Sequence, residues 1–112
     1  MSYIPFELTN WNNIEKVLHQ GITGTAVSQT VQYAGLRIRL LEFSSAYLAD
    51  HWCQKGHIIY CIEGEMDTEL ADGQVFTLRK GMSYQVSDDL SSHRTSSVAG
   101  VKLFIVDGDF LK

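Results

Sequence analysis

The sequence predicts an all-β domain, an antiparallel sandwich or barrel. Short runs of alternating or β-branched residues recur along the chain, and glycine-bearing turns separate them. A parallel sheet would need crossover helices, and 112 residues with this pattern leave no sequence for them. The length fits a single domain over residues 1–112.

A short N-terminal helical segment is expected first. Asn10 can cap it, and Trp11, Ile14 and Leu18 share one helical face before Gly21 stops it. Residues 25–33 form the first strand, with Thr25, Val27, Val31 and Tyr33 on one period-2 face, and Gly35 ends it. In 36–43, Leu36, Ile38 and Leu40 alternate with Arg37 and Arg39, which predicts a half-buried strand with a wet arginine face. Residues 57–63 are apolar and β-rich, and Gly64 is expected to end them. Residues 66–70 and 74–78 flank Ala71-Asp72-Gly73, where Asp-Gly is a hairpin signal. Lys80-Gly81 makes a further turn. Strands at 82–86, 93–96 and 101–106 follow, the first two separated by a polar loop at 88–92.

Composition excludes several function classes. Hydrophobic residues are 45% and charged residues 20% of the chain, which is ordinary for a globular protein and unlike a disordered one. No apolar run approaches the ~18 residues of a membrane span, so no membrane partner is expected. Met1-Ser2-Tyr3-Ile4-Pro5 carries no basic leader followed by an apolar stretch, which makes the cytoplasm the expected location. The net charge is −4 and no Lys/Arg cluster stands out, so nucleic-acid binding is not expected. Two cysteines make no disulfide framework. They are expected to be free thiols or metal ligands.

The chemistry concentrates in one stretch. His51 and Cys53 are two residues apart, which puts them on one face if the segment is a strand. Gln54-Lys55-Gly56 makes a turn, and His57 opens the next strand beside them. His93, from a distant strand, would complete four ligands of borderline or soft character. His19 is expected to be a surface or hydrogen-bonded histidine. Cys61 shares the face of His57 and is expected to pack in the core. Tyr84 and Tyr60 are candidate pocket residues. Parity turns Trp52 outward, towards a second sheet or subunit.

The run His51-x-Cys53-x3-His57-x6-Gly64 resembles the first motif of the cupin superfamily, His-x-His-x3-4-Glu-x6-Gly. Cys53 stands where the second His is usual, and His57 where Glu is usual. Ile58 to Glu65 also looks like the cupin strand that ends in Glu-Gly-Glu. Leu78-Arg79-Lys80-Gly81-Met82 resembles the opening of the second motif, and His93 its histidine. Ser87 replaces that motif's proline, Asp89 its glycine and Ser97 its asparagine, and the loop before His93 is one residue longer. Asp50-His51-Trp52-Cys53 further resembles a group of small cupins labelled for an Asp-His-Cys-Trp cluster.

The resemblance implies a double-stranded β-helix, or jelly-roll barrel, with one divalent metal inside. It makes His51, Cys53, His57 and His93 the metal ligands. Cysteine and histidine in place of glutamate soften the site, which suits Zn best, with Ni, Cu and Fe as alternatives. Four ligands on Zn would close the site and favour a binding or sensing protein. Three histidines without Cys53 would leave it open, as an oxygenase or isomerase needs. Some cupins bind no metal and use the cavity alone. A small-molecule ligand in the barrel and a homodimer are the expected partners.

Overall fold

The computed structural model describes residues 4–112. Met1, Ser2 and Tyr3, where the segment read for a leader begins, lie outside the described residues. The described residues form nine strands: β1 (Val17–Gln20), β2 (Thr25–Tyr33), β3 (Leu36–Phe43), β4 (Tyr47–Leu48), β5 (His57–Leu70), β6 (Val75–Arg79), β7 (Ser83–Val86), β8 (His93–Ser97) and β9 (Val101–Gly108). Every strand pairing is antiparallel. The predicted all-β class is therefore the observed one. No helix among the described residues is long and apolar enough to cross a membrane.

The N-terminal helix is not formed. Only Trp11–Asn13 makes a 3-10 turn, with the Asn10 side chain accepting from the Asn12 N–H at 3.1 Å. Leu18, the last residue of the expected apolar face, lies instead in β1 and is exposed. β1 pairs Val17 with Ser28 and Gln20 with Thr25 at the edge of β2. A helix this short needs a buried face to persist, and here none is covered.

β5 holds the barrel together. Its first half pairs with β7 and β9, and its second half pairs with β6 and β8. Gly64, expected to end a strand, is the point where one continuous strand passes between the two sheets. Its φ of 81° is costly for other residues. A Cβ there would also lie 2.3 Å from the Gly100 carbonyl oxygen. A bulge between Cys61 and Glu63 adjusts the register just before it.

The core lies between the sheets and contains Ile59, Cys61, Met66, Leu78, Leu103 and Ile105, with Phe43 stacked on Tyr47 at 4.2 Å. The faces of β3 are not as predicted. Arg37 and Arg39 share with Leu41 and Phe43 the side that lines the barrel cavity. Arginine is tolerated there because Asp107 of β9 stands opposite and is 1% exposed. Arg37 grips it through Nε and Nη2 at 2.9 and 3.0 Å, and Arg39 through Nη2 at 3.0 Å.

Candidate metal centre

Three predicted residues converge on the cavity wall. Cys53 lies in the irregular segment between β4 and β5, His57 opens β5, and His93 opens β8. One ligand atom from each lies within 4.8 Å of the other two. Cys53 and His93 are tied by reciprocal backbone hydrogen bonds. The Cys53 N–H donates to the His93 carbonyl at 2.8 Å, and the His93 N–H donates back at 3.0 Å. The His57 and His93 rings meet edge to face, with centroids 5.5 Å apart.

Hydrogen bonding outside the group turns both imidazoles the right way. His93 Nδ1 lies 3.0 Å from the Ser91 carbonyl, which can only accept, so Nδ1 carries the proton. His57 Nδ1 lies 3.0 Å from Asp107 Oδ2. Burial alone would raise the Asp107 carboxyl. Hydrogen bonds from His57 and Arg37, with the charges of both arginines, hold it well below the usual carboxylate range. It is thus an ionised acceptor, and His57 Nδ1 is the donor. In their neutral forms both rings leave Nε2 free to ligate. A carboxylate or carbonyl behind the ring is the usual support of a metal-binding histidine.

The Cys53 thiol is lowered to about 5, first by the hydrogen bond with His57 and then by that with His93. Its Sγ is 3.5 Å from His57 Nε2. Burial would lower His57, but Asp107 and Cys53 outweigh it, and the net shift is upward. Hydrogen bonding to Cys53 is the main reason that His93 is also raised. Without a metal, the Cys53 thiolate and the two imidazoles thus favour one another's charged forms, and a divalent ion would compete with the ring protons. One thiolate and two supported imidazoles suit a borderline-soft divalent ion.

His51 is not brought into the group. Its side chain is 70% exposed and its Nδ1 bonds Asp50 Oδ1 at 2.6 Å. The parity argument fails because the segment around it is not a strand, so His51 and Cys53 need not face one way. Both the four-ligand set and the three-histidine set require His51, and neither is assembled. Tyr60 is also corrected. Strand alternation turns it outward from β5, where it is 48% exposed, while His57, Ile59 and Cys61 face in. Tyr84 does line the cavity, with its ring 6.1 Å from that of His93, and burial keeps its phenol protonated. Cys61 is fully buried in the core, and His19 bonds Ser28 Oγ at 3.1 Å. Trp52 is exposed, with the Arg94 guanidinium 5.0 Å from its ring centre.

Asp107 and its two arginines were not anticipated from the sequence. The signal was present: Val101, Leu103, Ile105 and Asp107 form one inward alternation, and a carboxylate ending an apolar face needs buried partners. The loop before His93 is held by its own contacts where its sequence departs from the cupin motif. Asp89, in place of glycine, has φ 60°, a conformation Asp tolerates better than most residues. Its N–H donates to the Gln54 carbonyl at 2.8 Å, which ties this loop to the Cys53 segment. The cavity beside the group has a volume of about 550 Å³.

No protein-family model and no curated protein matches the sequence. Solved structures do match the fold. An RmlC-like cupin from Shewanella frigidimarina aligns with a TM-score of 0.69 and 20% identity, over 96% of this chain and 92% of that one. Ectoine synthase from P. lautus aligns with a TM-score of 0.74 and 16% identity, over 92% and 78%. FeII HppE aligns with a TM-score of 0.76 and 12% identity, over 96% and 64%. The shared architecture, reached independently through the motif spacing and the strand pairing, gives this chain the fold of a small cupin.

Proposed function

We propose that the chain is a metal-binding cupin in which Cys53, His57 and His93 hold one divalent ion, Zn(II) by preference, beside a cavity that takes a small molecule. The observation that carries this reading is the convergence of the three donors with both imidazoles supported through Nδ1. Three protein donors leave coordination positions for water or a ligand, the pattern of catalytic rather than structural zinc. A bound ion would supply Lewis acidity there. Asp107 fixes the orientation of His57, Tyr84 offers a neutral phenol, and Ile59, Met66 and Ile105 provide apolar walls.

The open donor set also favours a second reading, in which the protein is an enzyme acting on the molecule in the cavity. The likeness to FeII HppE supports a metal in this fold but names no substrate for this chain.

Elemental analysis after incubation with Zn(II) and desalting tests the site. The wild type should retain about one ion per chain, and so should His51→Ala. His57→Ala and His93→Ala should each lose most of it. Retention by both of those variants, or loss in His51→Ala alone, would show that the donors are elsewhere.

A further inference from the structure

We infer that the cavity binds a small organic acid, with its carboxylate held by Arg39 beside the Cys53–His57–His93 group. This deepens the reading above by naming the ligand class, and it rests on that reading for the ion at the group.

The argument begins with charge on the cavity wall. Arg37 and Arg39 project inward from β3 and share one carboxylate, that of Asp107. Two guanidinium charges against one carboxylate leave an excess positive charge. Among the described residues, the carboxylate that lines the cavity is Asp50, which lies at the surface with its side chain 59% exposed and bonded to His51. Lys55 adds a further cation to the lining and is 3.6 Å from Asp88. The excess survives metal binding. A divalent ion adds two positive charges and a coordinated thiolate one negative charge. With the ion bound the wall is therefore positive, although the whole chain carries −4.

Hydrogen-bonding capacity then selects Arg39. Arg37 engages Asp107 through two nitrogens, whereas Arg39 gives it one hydrogen bond. The Nε–H of Arg39 is buried without a partner among the described residues. A guanidinium has five N–H donors in a rigid fork, so Arg39 has donors to spare for a second anion. It is also next to the metal group, because its Nη2 and His57 Nδ1 bond the same Asp107 oxygen, each at 3.0 Å.

The rest of the wall defines the body of the ligand. Leu41, Ile59, Met66, Leu103 and Ile105 line the cavity. An inorganic oxyanion would be desolvated there without apolar contact in return. An organic acid meets the cation with its carboxylate and these side chains with its carbon skeleton.

Calorimetric titration of metal-free and zinc-loaded protein with acetate, butanoate, phenylacetate, phenylacetamide and inorganic phosphate tests this. At least one carboxylate should bind, with phenylacetate at least about tenfold tighter than its neutral amide or phosphate. Arg39→Gln should weaken carboxylate binding about tenfold or more, without changing zinc stoichiometry or amide binding. Arg39→Lys should lie between, because it keeps the charge and loses the fork. Equal affinity for acid and amide, tighter binding of phosphate, failure of every acid below about 10 mM, or an unaffected Arg39→Gln would each overturn the inference. Should that variant fail to fold, the comparison of acid, amide and phosphate on the wild type decides. Zinc uptake without acid preference would refute this inference and leave the metal reading standing. Acid preference without zinc uptake would do the reverse.

Discussion

The Cys53 thiol is lowered to about 5 by His57 and His93, while burial raises that of Cys61, which has no exposed surface. Iodoacetamide at pH 7 should therefore alkylate Cys53 in metal-free protein and leave Cys61 untouched until unfolding, with mass spectrometry locating the label. Added Zn(II) should protect Cys53, and equal labelling with and without zinc would remove it from the donor set. Asp107 carries a second prediction. Its carboxyl is 2% exposed and serves His57, Arg37 and Arg39, so Asp107→Asn should cost about 3 kcal/mol in urea unfolding. A depressed carboxylate contributes stability above its unfolded value of about 4 and loses it as the pH falls from there towards its folded value. Wild type should thus lose stability on acidification below about pH 4, and Asp107→Asn should lack that part of the loss. Parallel curves would refute the assignment. At this scale Cys53 and His57 were legible, because their spacing follows the first cupin motif position by position, and His93 through a looser match to the second. The place of His51 was not, since period-2 logic holds only where neighbouring strands keep the chain extended.

Among the elements, the outlines of β2 and β3 could be read residue for residue, because each is a β-rich, largely alternating run bounded by turn residues. Which face looked inward could not. The pattern in β3 assumed an apolar interior, and the wall of a polar cavity inverts that assumption. The passage of β5 through Gly64 was hidden for a related reason: local sequence marks a glycine as a stop, and only the packing of Gly100 and Val101 makes it a pivot. Two glycines separate the contributions. Gly73 has φ 93° in the β5–β6 turn, and a Cβ there would meet nothing within 4 Å. Gly73→Ala should therefore cost about 1 kcal/mol, the left-handed penalty alone. Gly64→Ala adds a backbone collision and should cost roughly 3 kcal/mol or more. Chemical denaturation of the two variants gives the comparison, and equal losses would mean that the close approach to Gly100 carries no weight.

For the whole molecule, the barrel class was legible from strand spacing, whereas the apolar outer face was not. Its rows cross four strands as Val31–Ile38–Val106–Ile58 and Gln29–Leu40–Phe104–Tyr60. The N-terminal arm is tied beside them. Gln29 Nε2 donates to the carbonyls of Trp11 and Ile14, and the Tyr33 hydroxyl donates to Glu7. Phe6 and Leu8 on this arm are almost wholly exposed, so they point away from their own barrel. A second copy, presenting the same arm and face by two-fold symmetry, would cover both. Light scattering should show a dimer at micromolar concentration, and Ile58→Glu should dissociate it. A wild-type monomer would defeat this expectation. The pairing of β5 has a further consequence, for folding on the ribosome. Its partners β6, β7, β8 and β9 all follow it in sequence. Cys53 and His57 thus emerge long before His93 and Asp107, and the earlier strands β1–β3 wait for β9 to complete their sheet. Hairpins of β1–β3 and of β5 with β6 can form as they emerge, but the edge of the fourteen-residue β5 that β9 covers stays open until the last strand appears, so barrel closure is a late event dominated by long-range contacts.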